Sequence, residues 1–437
     1  MNTLFLASCL CFLMIVHGTV ENHLPDNIIT PGELKELDDL EFGISSWETE
    51  HVKRVSVNVD DFGAIGNGDA DDTQAFRSAW TTACSTENAV FLVPCSSLYL
   101  VRATRFRGPC SKNLVIQING IIKAPDDPES WDPNDMRIWL SFSDLEGVRI
   151  QGKGILDGSG EKWWQSSCKR DKTKACRGAP TAFSIISSSA VSVKGLTFKN
   201  SQQMHFVIDR CDSVSVSGVQ IYSPSDSPNT DGIHVTKSIN VLLQDAIIET
   251  GDDCISIVNG SSAIKMKKIK CGPGHGISIG SLGKNSSTGI VTKVFLDTAV
   301  ISGTTNGLRI KSWPSANGYV RGIVFSGVKM ENVTNPIIID QNYCDSPTPC
   351  PKLDTSLQIS KVVYNNILGT SSSKVAMKFD CSSTAPCVDI VLKNVILERV
   401  DGPAETVCNF ATGRLYGVVE PVPECLKQME IAGRDEL

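Results

Sequence analysis

Aromatic residues are scarce in this 437-residue chain, at 6%, and no run of 18 or more apolar residues occurs within it. The second absence leaves no candidate for a membrane-spanning helix. The first, set beside 35 glycines, suits a fold with many tight turns. The 16 cysteines show no C-x-x-C spacing and no histidine is interleaved at ligand distance, which argues against zinc. A glycine-rich stretch at residues 62–68 is not followed by G-K-S/T, so a phosphate loop fails. Charge of one sign is missing from most of the chain. The formal net charge is −7, but nine acids against three bases in residues 21–54 carry −6 of it, leaving −1 for residues 55–437. Attraction for a charged partner must therefore come from local placement of Lys and Arg.

The amino terminus carries an apolar stretch at residues 4–16, followed by the small residues Gly18 and Thr19. It is too short to cross a bilayer and reads as a secretory signal over residues 1–18, although no Lys or Arg precedes it. A buried amino-terminal strand is the alternative. Secretion predicts an oxidising environment. Removal of Cys9 and Cys11 with the signal leaves 14 cysteines, several in close pairs: Cys168 and Cys176, Cys254 and Cys271, Cys344 and Cys350, Cys381 and Cys387, Cys408 and Cys425. Disulfides are expected, with the connectivity open. Sequons at Asn259, Asn285 and Asn332 are candidate glycan sites on turns. Residues 19–54 read as an acidic extension or propeptide ahead of the body at 55–437. The last four residues, Arg434, Asp435, Glu436 and Leu437, resemble an ER-retention signal with one change; an accidental charged tail is the alternative.

Residues 72–80 have helical spacing, with Asp72 or Thr73 as cap, and predict a short amino-terminal capping helix. From about residue 110 a repeat dominates. The segments VSVKGLTF at 191, VSVSGVQI at 214, VLLQDAII at 241, VFLDTAVI at 294, IVFSGVKM at 323, VVYNNILG at 362 and IVLKNVIL at 390 share one plan. Each joins a strand-like triplet, a polar or glycine break, and a second apolar pair, mostly at offsets below 30 residues. Strands at such a period without helices between them predict an all-β, single-domain solenoid of parallel strands, a parallel β-helix. The leucine ladder of a leucine-rich repeat and the longer unit of a propeller are both missing. Equivalent positions in successive coils would stack along one wall, and a groove built this way suits an extended polymer.

The densest polar signals are four segments: residues 229–234 (NTDGIH), 251–256 (GDDCIS), 274–280 (GHGISIG) and 309–311 (RIK). Stacking would bring Asp231, Asp252, Asp253, His275, Arg309 and Lys311 onto one surface. Crowded carboxylates suit glycoside hydrolysis, in which one donates a proton to the leaving oxygen and another activates water. Mutual repulsion raises the pKa of one and holds its proton. Arg309 and Lys311 share a face of a strand and can bind the carboxylate of an acidic sugar. Taken singly, Asp231 before Gly232 could be a turn former, Asp252 with Asp253 a polar turn or a calcium site, and His275 a turn residue. Adjacent Asp252 and Asp253 would point to opposite faces of a regular strand, so both reach a cleft only if the chain bends, for which Gly251 is suited.

In order and content, these four segments resemble the signature blocks of the family 28 glycoside hydrolases, the polygalacturonases, and residues 271–281 (CGPGHGISIGS) resemble the histidine block closely. The likeness covers most of residues 55–425. It implies a right-handed, pectin-lyase-like β-helix and inverting hydrolysis of α-1,4-galacturonan, with Asp252 as general acid and Asp231 with Asp253 activating water. It further implies that His275 orients the acid, that Asn229 supports the water-side carboxylate, and that Arg309, Lys311 and Tyr343 contact substrate. No metal or other cofactor is implied. The expected partner is pectin (polygalacturonate), with no nucleic acid and no membrane span, acted on by a monomer secreted to the extracellular space and cell wall. Pectate lyase, rhamnogalacturonan or xylogalacturonan hydrolase and a non-catalytic wall-binding solenoid are the rival readings. No long insertion interrupts the coils around the four blocks, which favours endo over exo action.

Overall fold

The computed structural model describes residues 53–133, 136–346, 348–350 and 356–428. The expected signal, nearly all of the acidic extension and the carboxyl-terminal tetrapeptide lie outside these residues. The first strand is Val55–Asn58, and Thr73–Cys84 forms the amino-terminal helix, here α1. Its apolar face (Phe76, Ala79, Trp80, Ala83) is buried against Phe91 and Phe106, with Trp80 and Phe106 centroids 5.2 Å apart. Asp72 occupies the cap position, as expected, but does not bond as a cap. Its Oδ1 accepts the Ile65 amide at 2.7 Å and so pins the glycine-rich turn.

Beyond α1 the chain is a stack of parallel strands. One ladder of 11 strands runs from Thr104–Arg107 to Glu405–Asn409, and a second sheet of 21 strands covers the rest of each coil. The coils wind right-handed, the sense that a twisted parallel strand imposes on its crossover. The repeated segments fall in register: Val191, Val214, Val241, Ile264, Val294, Ile323, Val362 and Ile390 pair in succession. Ile264 belongs to a coil that the repeat reading passed over, in the strand Ser261–Cys271.

The polar or glycine break inside each repeat now has a cause. Gly195, Gly218, Asp245, Lys268, Thr298, Gly327, Asn366 and Asn394 all have φ between 50° and 77°, a left-handed corner that turns one strand into the next. Inward residues on either side of the corner form one continuous apolar core. Among the described residues, six disulfides reinforce the coils. They include all five close pairs and a sixth, Cys84–Cys110, which fastens the end of α1. Cys95 and Cys211 form no disulfide among the described residues. No helix among the described residues is long and apolar enough to cross a membrane.

Candidate active site

The 11-stranded ladder places the polar blocks. Ile233, Ile255 and Ile277 pair in three successive coils. Asp231, Asp253 and His275 each sit two residues ahead of these isoleucines, and extending the register stacks them in one column. One position further along each strand, His234, Ser256, Ser278 and Arg309 pair directly.

Asp252 and Asp253 lie between the strands Ile247–Glu249 and Ile255–Ile257, in irregular backbone, so strict alternation does not apply to them. Gly251 is needed there for space rather than for an unusual φ. A Cβ at this position would stand 2.0 Å from the Ser227 carbonyl oxygen. Gly276 is constrained in both ways: its φ is +81°, and a Cβ would meet the Asn306 oxygen at 2.0 Å. The coil of His275 and the one after it, like those of Gly251 and Ser227, therefore approach too closely to admit a side chain between them.

Two parallel relays reach the carboxylates. Ser256 Oγ donates to Asp231 Oδ2 at 2.6 Å and lies 2.7 Å from His234 Nδ1. One coil on, Ser278 Oγ donates to Asp253 Oδ1 at 2.7 Å and accepts from Arg309 Nε at 2.9 Å. Arg309 Nη2 also reaches Asp253 Oδ1 at 2.5 Å, and Lys311 Nζ reaches Oδ2 at 2.9 Å. Asp252 differs from its neighbours. Its Oδ1 lies 3.0 Å from His275 Nδ1 and accepts the Asp253 amide at 2.8 Å, while Oδ2 accepts the Asn229 amide at 3.3 Å. Asn229, expected on the water-side carboxylate, thus serves the proposed acid.

These environments set the charges apart. Burial raises the Asp231 carboxyl, and the charge of Asp252 raises it further against the opposing pull of His234. Burial would raise Asp253 too, but the charges of Arg309 and Lys311, with bonds from Lys311 and Ser278, hold it below the usual carboxylate range. The hydrogen bond to Asp252 raises His275 despite its burial, so the imidazole favours its protonated form. Burial and the neighbouring charge of Asp252 thus both disfavour ionisation of Asp231.

Asp252, Asp253 and His275 each offer one ligand atom within 4.8 Å of the others, a cation-sized arrangement. The two cations already clamped to Asp253 would repel a metal there, so the donor set does not suit one.

A cleft of about 460 Å³ opens over this cluster, lined by Asn229, Asp231, Asp252, Asp253, Lys311 and Tyr343 among others. Lys311 Nζ stands 5.2 Å from the centre of the Tyr343 ring, and Tyr343 meets Trp313 edge-on at 5.7 Å. Burial raises the Tyr343 hydroxyl well above its ordinary value, so it stays neutral. Two loops, each closed by a disulfide (Cys168–Cys176 and Cys344–Cys350), border the cleft and are joined by the ion pair of Lys169 with Asp345. The coils between the blocks are uninterrupted, as expected, but these flanking loops had no counterpart in the sequence reading.

Sequence reasoning also passed over Ser256, Ser278 and His234. Their signal was present: each lies three residues after Asp253, His275 or Asp231, respectively. His205 gave no signal. It is fully buried, its amide donates to the Asp231 carbonyl at 2.8 Å, and burial pushes its imidazole down to about 4. Because the folded state refuses a proton that the unfolded chain accepts below about 6.5, stability should fall as pH drops from about 6.5 towards 4. The full loss is about 3 kcal/mol. Urea unfolding across this range should show that slope in the parent protein and a flatter one in His205→Gln.

Of the sequons, Asn285 and Asn332 are exposed, with φ of 57° and 55°. Asn259 lines the cleft instead, its Oδ1 accepting the Ile290 amide at 2.9 Å, so a glycan there would obstruct the groove.

The model of the family described as "Glycosyl hydrolases family 28" matches residues 84–417. A polygalacturonase of Persea americana is 45% identical over 80% of this chain and 76% of its own length. A polygalacturonase of Malus domestica is 45% identical over 85% of this chain and 80% of its own. Among solved structures, the endo-xylogalacturonan hydrolase from Aspergillus tubingensis superposes with a TM-score of 0.71 at 23% identity. It covers 83% of this chain and 100% of its own, a likeness of fold.

Proposed function

The chain belongs to family 28 of the glycosyl hydrolases, and on that premise we propose that it is an endo-acting, inverting polygalacturonase hydrolysing α-1,4-galacturonosidic bonds in pectin. The observation that carries the reading is the division of charge among three neighbouring carboxyls. Asp253 is held ionised by Arg309 and Lys311, while burial and the charge of Asp252 raise Asp231.

Asp252 is the proposed general acid. It is the most exposed of the three, at 18% of its side chain, against 10% for Asp231 and 3% for Asp253. Burial raises Asp231 and the charge of Asp252 adds to the rise, so a proton carried by Asp252 as the acid makes Asp231 easier to ionise and to act as a base. Asp231, with the fixed charge of Asp253 beside it, then activates the attacking water. His275 and Asn229 position Asp252. Two cations against one carboxylate leave a positive excess. Lys311 lines the cleft beside Tyr343, and with Arg309 it draws the galacturonate carboxylate to this point.

Endo action is supported by the lie of the groove. Space continues past Asn229 on one side of the carboxylates and along Lys284, Ser287 and Thr288 on the other, so sugars have room on both sides of the scissile bond. The Lys169 and Asp345 side chains that join the bordering loops are 41% and 50% exposed, a bridge weak enough for an acidic polymer to displace. The proposal extends to the domain division at residues 18 and 54, to secretion into the cell wall, and to action as a monomer.

The test is hydrolysis of polygalacturonate in EDTA. New reducing ends should form without ultraviolet absorbance, since no unsaturated product is made. Early products should be spread over many chain lengths. Release of monomer alone from the outset would overturn endo action, and unsaturated product would replace hydrolase by lyase.

A further inference from the structure

The groove has a second built region beside the catalytic cleft. A hollow of about 230 Å³ shares Asn229 with the cleft and extends beneath the loop closed by Cys168–Cys176. Arg137, Lys169 and Arg177 line it, and no Asp or Glu among the described residues does. Three like charges around so small a space repel one another unless an anion sits among them.

Their present partners do not supply that anion within the hollow. Arg137 Nη1 donates to the neutral Gln203 Oε1 at 3.0 Å and packs over Gly178. Arg177 reaches Glu129 at 2.6 Å, but the Glu129 side chain is 73% exposed. Lys169 is held by the half-exposed Asp345. Pairs so open to solvent are weak and exchange with a competing anion. The wall is also polar beneath its surface. Gln202 is 2% exposed with no hydrogen-bond partner for either amide atom, and the Trp163 indole nitrogen is likewise unpartnered. A larger hollow of about 510 Å³ nearby mixes Lys123, Lys162 and Arg170 with Asp126, Asp157 and Asp226, and so offers no comparable excess of charge.

We propose that the 230 Å³ hollow is a carboxylate-binding subsite. Arg137 and Arg177 grip the acid group of a galacturonate unit neighbouring the one at the scissile bond, and Lys169 leaves Asp345 to join them as the chain enters. The subsite rests on the reading of the protein as a hydrolase of an acidic polymer. It makes the grip on a long chain depend on residues far in sequence from the four blocks.

The experiment compares kcat/KM for a dimer and a hexamer of galacturonate in the parent protein, Arg137→Ala, Arg177→Ala and Arg137→Lys. Each alanine variant should lower the hexamer-to-dimer ratio about tenfold, the worth of one charge-assisted contact. Arg137→Lys should recover part of it. A merely structural defect lowers both constants alike and leaves the ratio at the parent value; that result in both alanine variants overturns the subsite. Calorimetric binding of the hexamer to the parent and to Arg137→Ala decides the matter even if neither oligomer is cleaved, an outcome that would remove the catalytic reading alone. A weakening of about tenfold supports the subsite, and equal affinity overturns it.

Discussion

Asp252→Asn should lower kcat on polygalacturonate by about a thousandfold or more, the loss expected when a general acid is removed. The fold should survive. Asp252 is partly exposed, lies outside the strands and is replaced by a side chain of the same shape. The amide retains one acceptor oxygen for the donors now shared between two: the Asp253 amide, Asn229 and His275. Two further readouts separate this account from a general lesion. His275 loses the carboxylate charge that raises it and keeps at most a weaker bond to a neutral amide oxygen, so its pKa should fall towards the ordinary value. Asp231 loses the charge that adds to its burial, so its pKa should fall as well. Imidazole and carboxyl NMR titrations of parent and variant would show both movements. A variant that keeps kcat within tenfold of the parent would end the assignment of Asp252 as the acid.

Asp253→Ala is expected to act mainly on stability. Its carboxylate is the shared partner of Arg309 and Lys311, whose side chains are only 11% and 8% exposed. Removing it leaves two cations in a largely buried site without their counter-charge, a change that typically costs about 3–5 kcal/mol. Urea denaturation should therefore show a lower midpoint at unchanged slope. Adding Lys311→Met in the same chain should return part of the loss, because one stranded charge is then replaced by an apolar side chain of similar length. If the double variant is no more stable than Asp253→Ala, the buried charges are not the cause. Activity should be lost in both, since the proposed water-activating pair is incomplete.

The coils were legible because two requirements act at fixed places in each one. Inward positions must be apolar, and the corner must tolerate a left-handed backbone, which favours Gly, Asn and Asp. The coil at Ile264 was overlooked because its corner is Lys268, a residue type that gives no turn signal although its φ is 50°. The disulfide Cys84–Cys110 escaped for a related reason: its partners are 26 residues apart and meet only because α1 folds back on the first coils. Asp231, Asp253 and His275 could be grouped in advance because one coil separates each from the next. The serines that hold two of them followed the same spacing, but serine is too common in this chain to stand out.

The sequence by itself determined the kind of fold, the reaction class and the residues proposed to carry it, because a solenoid converts a period along the chain into neighbours in space. Only the tertiary structure decided how the three carboxyls differ. Asp252 and Asp253 are chemically identical and adjacent in the chain, yet one faces His275 and the other is enclosed by Arg309, Lys311 and Ser278. Those partners come from later coils, and protonation depends on burial and on charges within a few ångströms. Such distances are set by how coils stack, and no local pattern of residues encodes them.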